Sequence, residues 1–163
     1  RIIFLGKLLK HGEADVSQIR LIVKGKIRWL LQGEREPCEV IGNIYDLKSK
    51  VWHNDRRDIH VWIDKHNKYS TTGAMDLFNR KIKKENEDVI GSLKHKLWDQ
   101  LPLFIRPFLY FLYRYLIRLG FLDGVGGFVY AFLQAFWFRL LIDAKYYEMR
   151  LNYRKELSNK RNC

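Results

Sequence analysis

The chain has 163 residues, 47% hydrophobic and 29% charged, with a formal net charge of +12. That bounds it to one domain, or one small domain with an appendage, and excludes a disordered chain. Two cysteines, Cys38 and Cys163, exclude a disulfide framework and a cysteine zinc site and fit a reducing compartment. The charge asks for an anionic partner but forms no compact basic patch. Residues 1–100 hold 20 Lys and Arg against 14 Asp and Glu, residues 101–163 hold 10 against 4, and a nucleic acid is therefore not the expected partner.

The sequence opens at Arg1, and IIFLGKLL is too short before Lys7 interrupts it to be a signal peptide, so a piece of a longer protein is expected. Residues 1–12 predict a short buried strand or helix end. The runs IRLIV (19–23) and KIRWLLQ (26–32) flank Lys24 and Gly25 and predict a β-hairpin. Residues 34–37 form a polar loop, and 39–47 and 50–53 predict two more short strands. From Asp58 the period changes. Ile59, Trp62, Ile63 and His66 share one helical face, with Asp55 or Asp58 as N-cap. A second helix is expected over 72–85, with Met75, Leu77, Phe78 and Ile82 partly in phase. Residues 81–88 read as a solvated face or linker. A third helix is expected over 89–100, ended by Pro102.

Residues 101–147 form two apolar, aromatic arms joined by FLDGVGG, a predicted turn around Gly124, Gly126 and Gly127. A spanning helix needs about 20 mostly apolar residues. Arg106, Arg114 and Arg118 interrupt the first arm, and an arginine at the bilayer centre costs roughly 2.5–3.5 kcal/mol. The three share one side of the helical wheel, which predicts an amphipathic hairpin lying in the membrane interface. A two-span hairpin and a pair of buried helices in a soluble core are the alternatives. Fifteen of the aromatics fall between Phe104 and Tyr147, which suits headgroup depth. Residues 148–163 read as a basic helix end running into disorder, suited to anionic lipid.

No P-loop, dinucleotide-binding glycine motif, zinc-protease motif or nucleophile elbow is present. Glu34, Glu36 and Glu39 bracket Pro37 between strands, where a carboxylate facing a cleft acts as a general base; a solvated acidic turn has the same composition. His53, close to Asp55 at a strand end, suits a metal, a substrate hydroxyl or a plain turn hydrogen bond. His60 and His66 lie on the helix that follows. The run from Lys65 to Tyr69 suits a phosphate or sugar, or an ordinary helix C-terminus.

The order of these features resembles the C-terminal half of bacterial family-2 glycosyltransferases, of the lipopolysaccharide-core and exopolysaccharide β-glucosyltransferase type. The likeness rests on Phe4-Leu5-Gly6-Lys7 with His11-Gly12, on Arg20-Leu21-Ile22 with Gly25 through Trp29, and on Glu36 six residues before Gly42, followed by His53. It continues with Lys65, Asn67 and Tyr69, with the run from Arg118 to Gly124 (RLGFLDG), and with Ala144-Lys145-Tyr146, covering residues 1–147. Arg35 departs from the family, which has a His or hydrophobic residue before its glutamate.

The resemblance implies an α+β chain: a partial GT-A sheet of short antiparallel strands, then helices, then a C-terminal amphipathic helical hairpin. Residues 1–70 would be the acceptor side of the catalytic domain, 71–100 connecting helices, 101–147 the membrane-interfacial hairpin and 148–163 a basic tail. It further implies an inverting transfer of one sugar from a nucleotide-sugar to a lipid-linked or saccharide acceptor. Glu36 is the implied general base, with Glu34 or Glu39 as fallback. Arg20, His53, Lys65 and Asn67 are implied near the acceptor or the donor phosphates. A divalent cation, Mg or Mn, is implied on a D-x-D motif in a nucleotide-binding half before Arg1, with His53 a further candidate ligand. Without that half the chain is expected to be inactive. The implied location is peripheral, on the cytoplasmic face of the bacterial inner membrane. No Q-x-x-R-W motif of polymerising synthases is present. The alternative is a non-catalytic membrane-surface adaptor that binds anionic lipid.

Overall fold

A turn at Leu5 and Gly6, both at positive φ (49° and 76°), doubles the start of the chain into a hairpin of β1 (Ile2–Phe4) and β2 (Lys7–Leu9). This computed structural model describes residues 1–12, 19, 21–29, 38–47, 49, 51–54, 58–86 and 101–161, with the backbone alone for 82–86 and 161. The hairpin settles the strand-or-helix alternative for residues 1–12 as strand.

The next pairing differs from the predicted one. Lys24 and Gly25 do form a turn, with the Lys26 N–H donating to the Val23 carbonyl at 3.0 Å. Residues 21–23 are not in a strand, however. β3 (Ile27–Trp29) pairs antiparallel with β4 (Cys38–Val40), Ile27 opposite Val40 and Trp29 opposite Cys38. Residues 41–47 carry no strand either. β5 (His53–Asn54) lies parallel to β1, giving the sheet order β2-β1-β5. Runs of three residues fix their own extension but not their partner, which depends on what lies across the ladder.

α1 (Ile59–Asn86) is one helix of 28 residues where two are predicted. Its first turns follow the predicted face in part, with Trp62 buried and Ile63 and His66 half-buried but Ile59 exposed at the helix start. The missing break has an identifiable cause. Ser70, Thr71, Thr72 and Gly73 are weak helix formers, the first three because their hydroxyls compete for the backbone and the glycine because its backbone loses the most freedom. Here the Ser70 hydroxyl is spent on the Asn67 carbonyl at 2.7 Å, and Lys145 holds the rest of the step from outside. The helix predicted over 89–100 lies outside the described residues.

α2 (Ile105–Leu112) runs on into a π-turn (Tyr113–Ile117), and the chain reverses through Leu119, at φ 57°, and a 3-10 turn (Gly120–Asp123). α3 (Gly124–Ala131), a π-turn (Phe132–Trp137) and α4 (Phe138–Arg161) then continue one another. The reversal therefore precedes the glycine cluster, and Gly124, Gly126 and Gly127 open the second arm instead of making the turn. Gly127 is needed there, since a Cβ would lie 2.4 Å from the Gly120 carbonyl oxygen. Residues 148–161 are helical, not a frayed tail.

The chain is thus α+β, with small sheets of short strands followed by helices. One core cluster sets Ala74 and Leu77 of α1 against Phe138, Ile142 and Tyr146 of α4. The other sets Phe4 and Leu9 of the first hairpin against Trp62 and Tyr130, with the Phe4 ring edge-on to both aromatics at 6.1 and 5.1 Å.

The two arms are bolted by a buried ion pair. Arg106 Nε donates to both Asp143 carboxylate oxygens at 2.9 Å, a second guanidinium nitrogen contacts the same carboxylate, and the Phe104 N–H adds a bond at 3.0 Å. This corrects the reading of the arginines as one outward face. Arg106 and Arg114 are each 5% exposed, and only Arg118 faces solvent. Removing one partner of such a pair strands the other charge in a low-dielectric interior. Asp143→Ala should lower the unfolding free energy by about 3–5 kcal/mol, measured by urea denaturation.

Candidate functional site

The first hairpin meets the turn between the arms at Asp123. This residue closes the 3-10 turn between the arms and is 4% exposed, so its carboxylate needs donors. The segment after β2 supplies them. The Lys10 and His11 backbone N–H groups donate to Oδ2 at 3.0 and 2.8 Å, and the His11 ring nitrogen Nδ1 lies 3.2 Å from Oδ1. Lys7 Nζ donates to the Asp123 carbonyl at 2.7 Å. Burial pushes the Asp123 carboxyl up, but the bonds from His11 and Lys10 outweigh it and leave the group below its ordinary 3.8.

The contact continues through backbone. The Gly12 N–H donates to the Arg118 carbonyl at 2.8 Å, and Arg114 Nε donates to the Gly12 carbonyl at 2.6 Å. The Arg114 guanidinium also lies 5.8 Å and 5.7 Å from the Tyr110 and Tyr130 ring centres. Gly12 has φ 71°, and a Cβ on it would stand 3.0 Å from Gly120 Cα, so a side chain there would press on the facing segment; a Cβ at Gly120 would instead meet the Arg114 carbonyl oxygen of its own arm at 2.9 Å.

A second junction ties α1 to α4. The Lys145 ammonium has the Asn67 carbonyl at 2.8 Å, Asn67 Oδ1 at 2.7 Å, and the Ser70 and Thr71 hydroxyls at 2.8 Å each. Burial lowers the Lys145 pKa, opposed by the charge of Glu148.

Of the residues singled out in the sequence, Glu34, Glu36 and Arg20 lie outside the described residues. Glu39 is exposed in β4, opposite Arg28. His53 is exposed in β5, its N–H donating to the Arg1 carbonyl at 2.8 Å. Lys65 and Asn67 do not act together. Two residues apart on a helix point to nearly opposite sides. Lys65 joins His60, Val61, Asp64, Lys68 and Tyr69 along a shallow open groove, with its ammonium 5.5 Å from the Tyr69 ring centre. Asn67 faces α4 and is engaged by Lys145. The run from Lys65 to Tyr69 is mid-helix, not a helix end.

Among the described residues no group of three His, Cys, Asp or Glu is placed to hold a metal ion. Those residues do not fit a divalent cation.

Comparison of the chain with protein-family models, with curated proteins and with solved structures finds no match.

Sequence reasoning missed Asp123, Arg114, Asp143 and Lys145 as organising residues. The signal was there: an isolated acid or base inside an apolar run must find a buried partner. Because Asp123 is held below its unfolded value, its contribution is present above that value and lost as the pH falls through the folded one. Asp123→Asn should therefore lower stability near neutrality by about 1.5–3 kcal/mol. Its stability should also fall less steeply than that of the unaltered chain below pH 3.8, as urea unfolding at stepped pH would register.

Proposed function

We propose that this chain is the acceptor-side, C-terminal half of an inverting family-2 glycosyltransferase. It would move one sugar from a nucleotide-sugar to a lipid-linked, lipopolysaccharide or exopolysaccharide acceptor at the cytoplasmic face of the bacterial inner membrane. One observation carries the reading. The segments on which the resemblance rests are scattered along the sequence, and the fold packs them in pairs. The Phe4-to-Gly12 segment is joined to the Arg118-to-Gly124 turn through Asp123, across 112 residues for the His11 N–H bond. The Asn67 segment is joined to Lys145, across 78 residues. Motifs that serve one site have a reason to be neighbours, and chance matches have none.

In this reading Glu36 takes the proton from the acceptor hydroxyl, which is a poor nucleophile until a base removes it. Lys65, facing the open groove of α1, offers a cation to a phosphate. Asn67 serves instead as a joint between helices, its oxygen being held by Lys145. A divalent cation on the nucleotide-binding half would neutralise the leaving diphosphate.

The second reading, a membrane-surface adaptor without catalysis, draws on the apolar outer face of the hairpin alone. The coding sequence upstream of Arg1 separates the two: a βαβ pattern leading to D-x-D supports the transferase, and an unrelated domain or a stop supports the adaptor. In the full-length enzyme, Glu36→Gln should cut sugar transfer by about 10²–10⁴-fold with donor binding unchanged. Near-normal turnover would move the base to Glu34 or Glu39.

A further inference from the structure

Between Phe104 and Phe132 the chain has four charged residues, and three of them, Arg106, Arg114 and Asp123, are turned inward and buried. What remains outside is apolar or aromatic except at Arg118. Ile117 and Val125 are 72% and 80% exposed, on either side of the reversal, and Phe108 and Leu122 are 50% and 55% exposed. A water-facing hairpin would carry polar side chains at these positions, and an apolar surface this continuous marks a contact.

The opposite side of the same arms is already occupied. Tyr130 packs on Phe4 and Trp62, Phe138 and Ile142 pack on α1, and the turn is bonded to residues 7–12. By length and composition, the helical run Gly120–Lys160 is apolar enough to cross a bilayer. To do so it would take the first β-hairpin and α1 with it, including the exposed polar side of α1. The first arm, Ile105 through Ile117, rises only about 20 Å at 1.5 Å per residue, against a hydrocarbon core of about 30 Å.

We infer that the hairpin enters a single leaflet by its outer face, with its axis near the membrane plane, and that the end at its turn selects anionic headgroups. This rests on the membrane placement proposed above and adds the face, the depth and the lipid class. The selectivity follows from charge. Lys7 and Lys10 are exposed and gathered at the turn by the bonds to Asp123, Arg118 is exposed beside them, and among the described residues at the turn the acid, Asp123, is buried. The described residues of the turn therefore place exposed cations beside the apolar surface, and lipid phosphates at the same depth are their complement. A protein partner matching this face would need an apolar floor and an acidic edge. A bilayer containing anionic lipid has both everywhere.

The test is flotation of the whole chain with phosphatidylcholine vesicles containing or lacking phosphatidylglycerol. The chain should float with the anionic vesicles. Ile117→Asp combined with Val125→Asp should reduce the bound fraction tenfold or more while leaving the urea midpoint in place, since both side chains are exposed. Lys10→Ala with Arg118→Ala should erase the preference for phosphatidylglycerol. With Cys38 and Cys163 replaced by Ser, a thiol at Val125→Cys should be untouched by an impermeant reagent trapped inside the vesicles. Reaction with that reagent would show a span and overturn the inference. So would equal flotation of the double aspartate variant, or a dimer in sedimentation that the same variant dissolves in the absence of lipid binding. The glycosyltransferase reading is judged separately. Lost flotation with transfer to a water-soluble acceptor intact in the full-length enzyme sinks the docking alone; intact flotation without transfer sinks the transferase alone.

Discussion

A carboxylate with almost no access to water is stable only where donors converge on it, and Asp123 sets that condition for the whole chain. Its donors belong to one short segment, Lys10 and His11, which cannot reach it unless β1 and β2 are folded back and Gly12 lies against Gly120. Once that contact is made, Phe4 and Leu9 fall on Trp62 and Tyr130, and the second core cluster follows. The apolar contacts supply much of the stabilisation, at about 25 cal/mol per Å² buried, but they are non-directional. The carboxylate supplies the register.

The same division of labour recurs. Arg106 and Asp143 fix how far the first arm lies along the second, and Lys145 fixes α4 along α1 by gathering oxygens from Asn67, Ser70 and Thr71. Each junction uses a charge that sequence periodicity assigns to solvent. Turning these charges inward has a geometric consequence: the surface they leave behind on the hairpin is apolar. The inner charged joints and the outer apolar face are one feature seen from two sides.

How much of this was legible varies with the range of the information. The stripe Ile59, Trp62, Ile63 and His66 was readable because helical period is local, and Trp62 is buried as that period requires. The α+β class was readable for the same reason, as short β-branched runs precede long apolar ones. The partner of β3 was not, because a three-residue strand carries no address for its mate. Nor was the continuity of α1 through Ser70 and Gly73, since the group that holds that step sits on α4, 75 residues from Ser70. The arginines misled for a related reason. Arg106, Arg114 and Arg118 share one side of a helical wheel, and a wheel shows which residues share a side but not whether that side meets water or Asp143 and Gly12. Of the candidate site, the meeting of residues 7–12 with Asp123 was not legible, because nothing in RLGFLDG states that its acid is buried.

In the one-leaflet arrangement inferred here, the buried charges also answer a problem that apolar packing cannot. Lipid tails are as apolar as leucine, so in their presence the arms gain little by burying Leu and Phe against each other. Water exclusion alone would then leave the hairpin free to splay or slide. A guanidinium on a carboxylate keeps its preference in that setting, because neither group has an alternative partner in hydrocarbon. Arg106 with Asp143 closes the open end of the hairpin, and Asp123 with residues 7–12 closes its turn. Between those two fixed points the outer face can exchange water for lipid without changing shape. A surface that docks on a membrane and positions a reaction there needs that rigidity in both solvents, and a purely apolar hairpin would have it in only one.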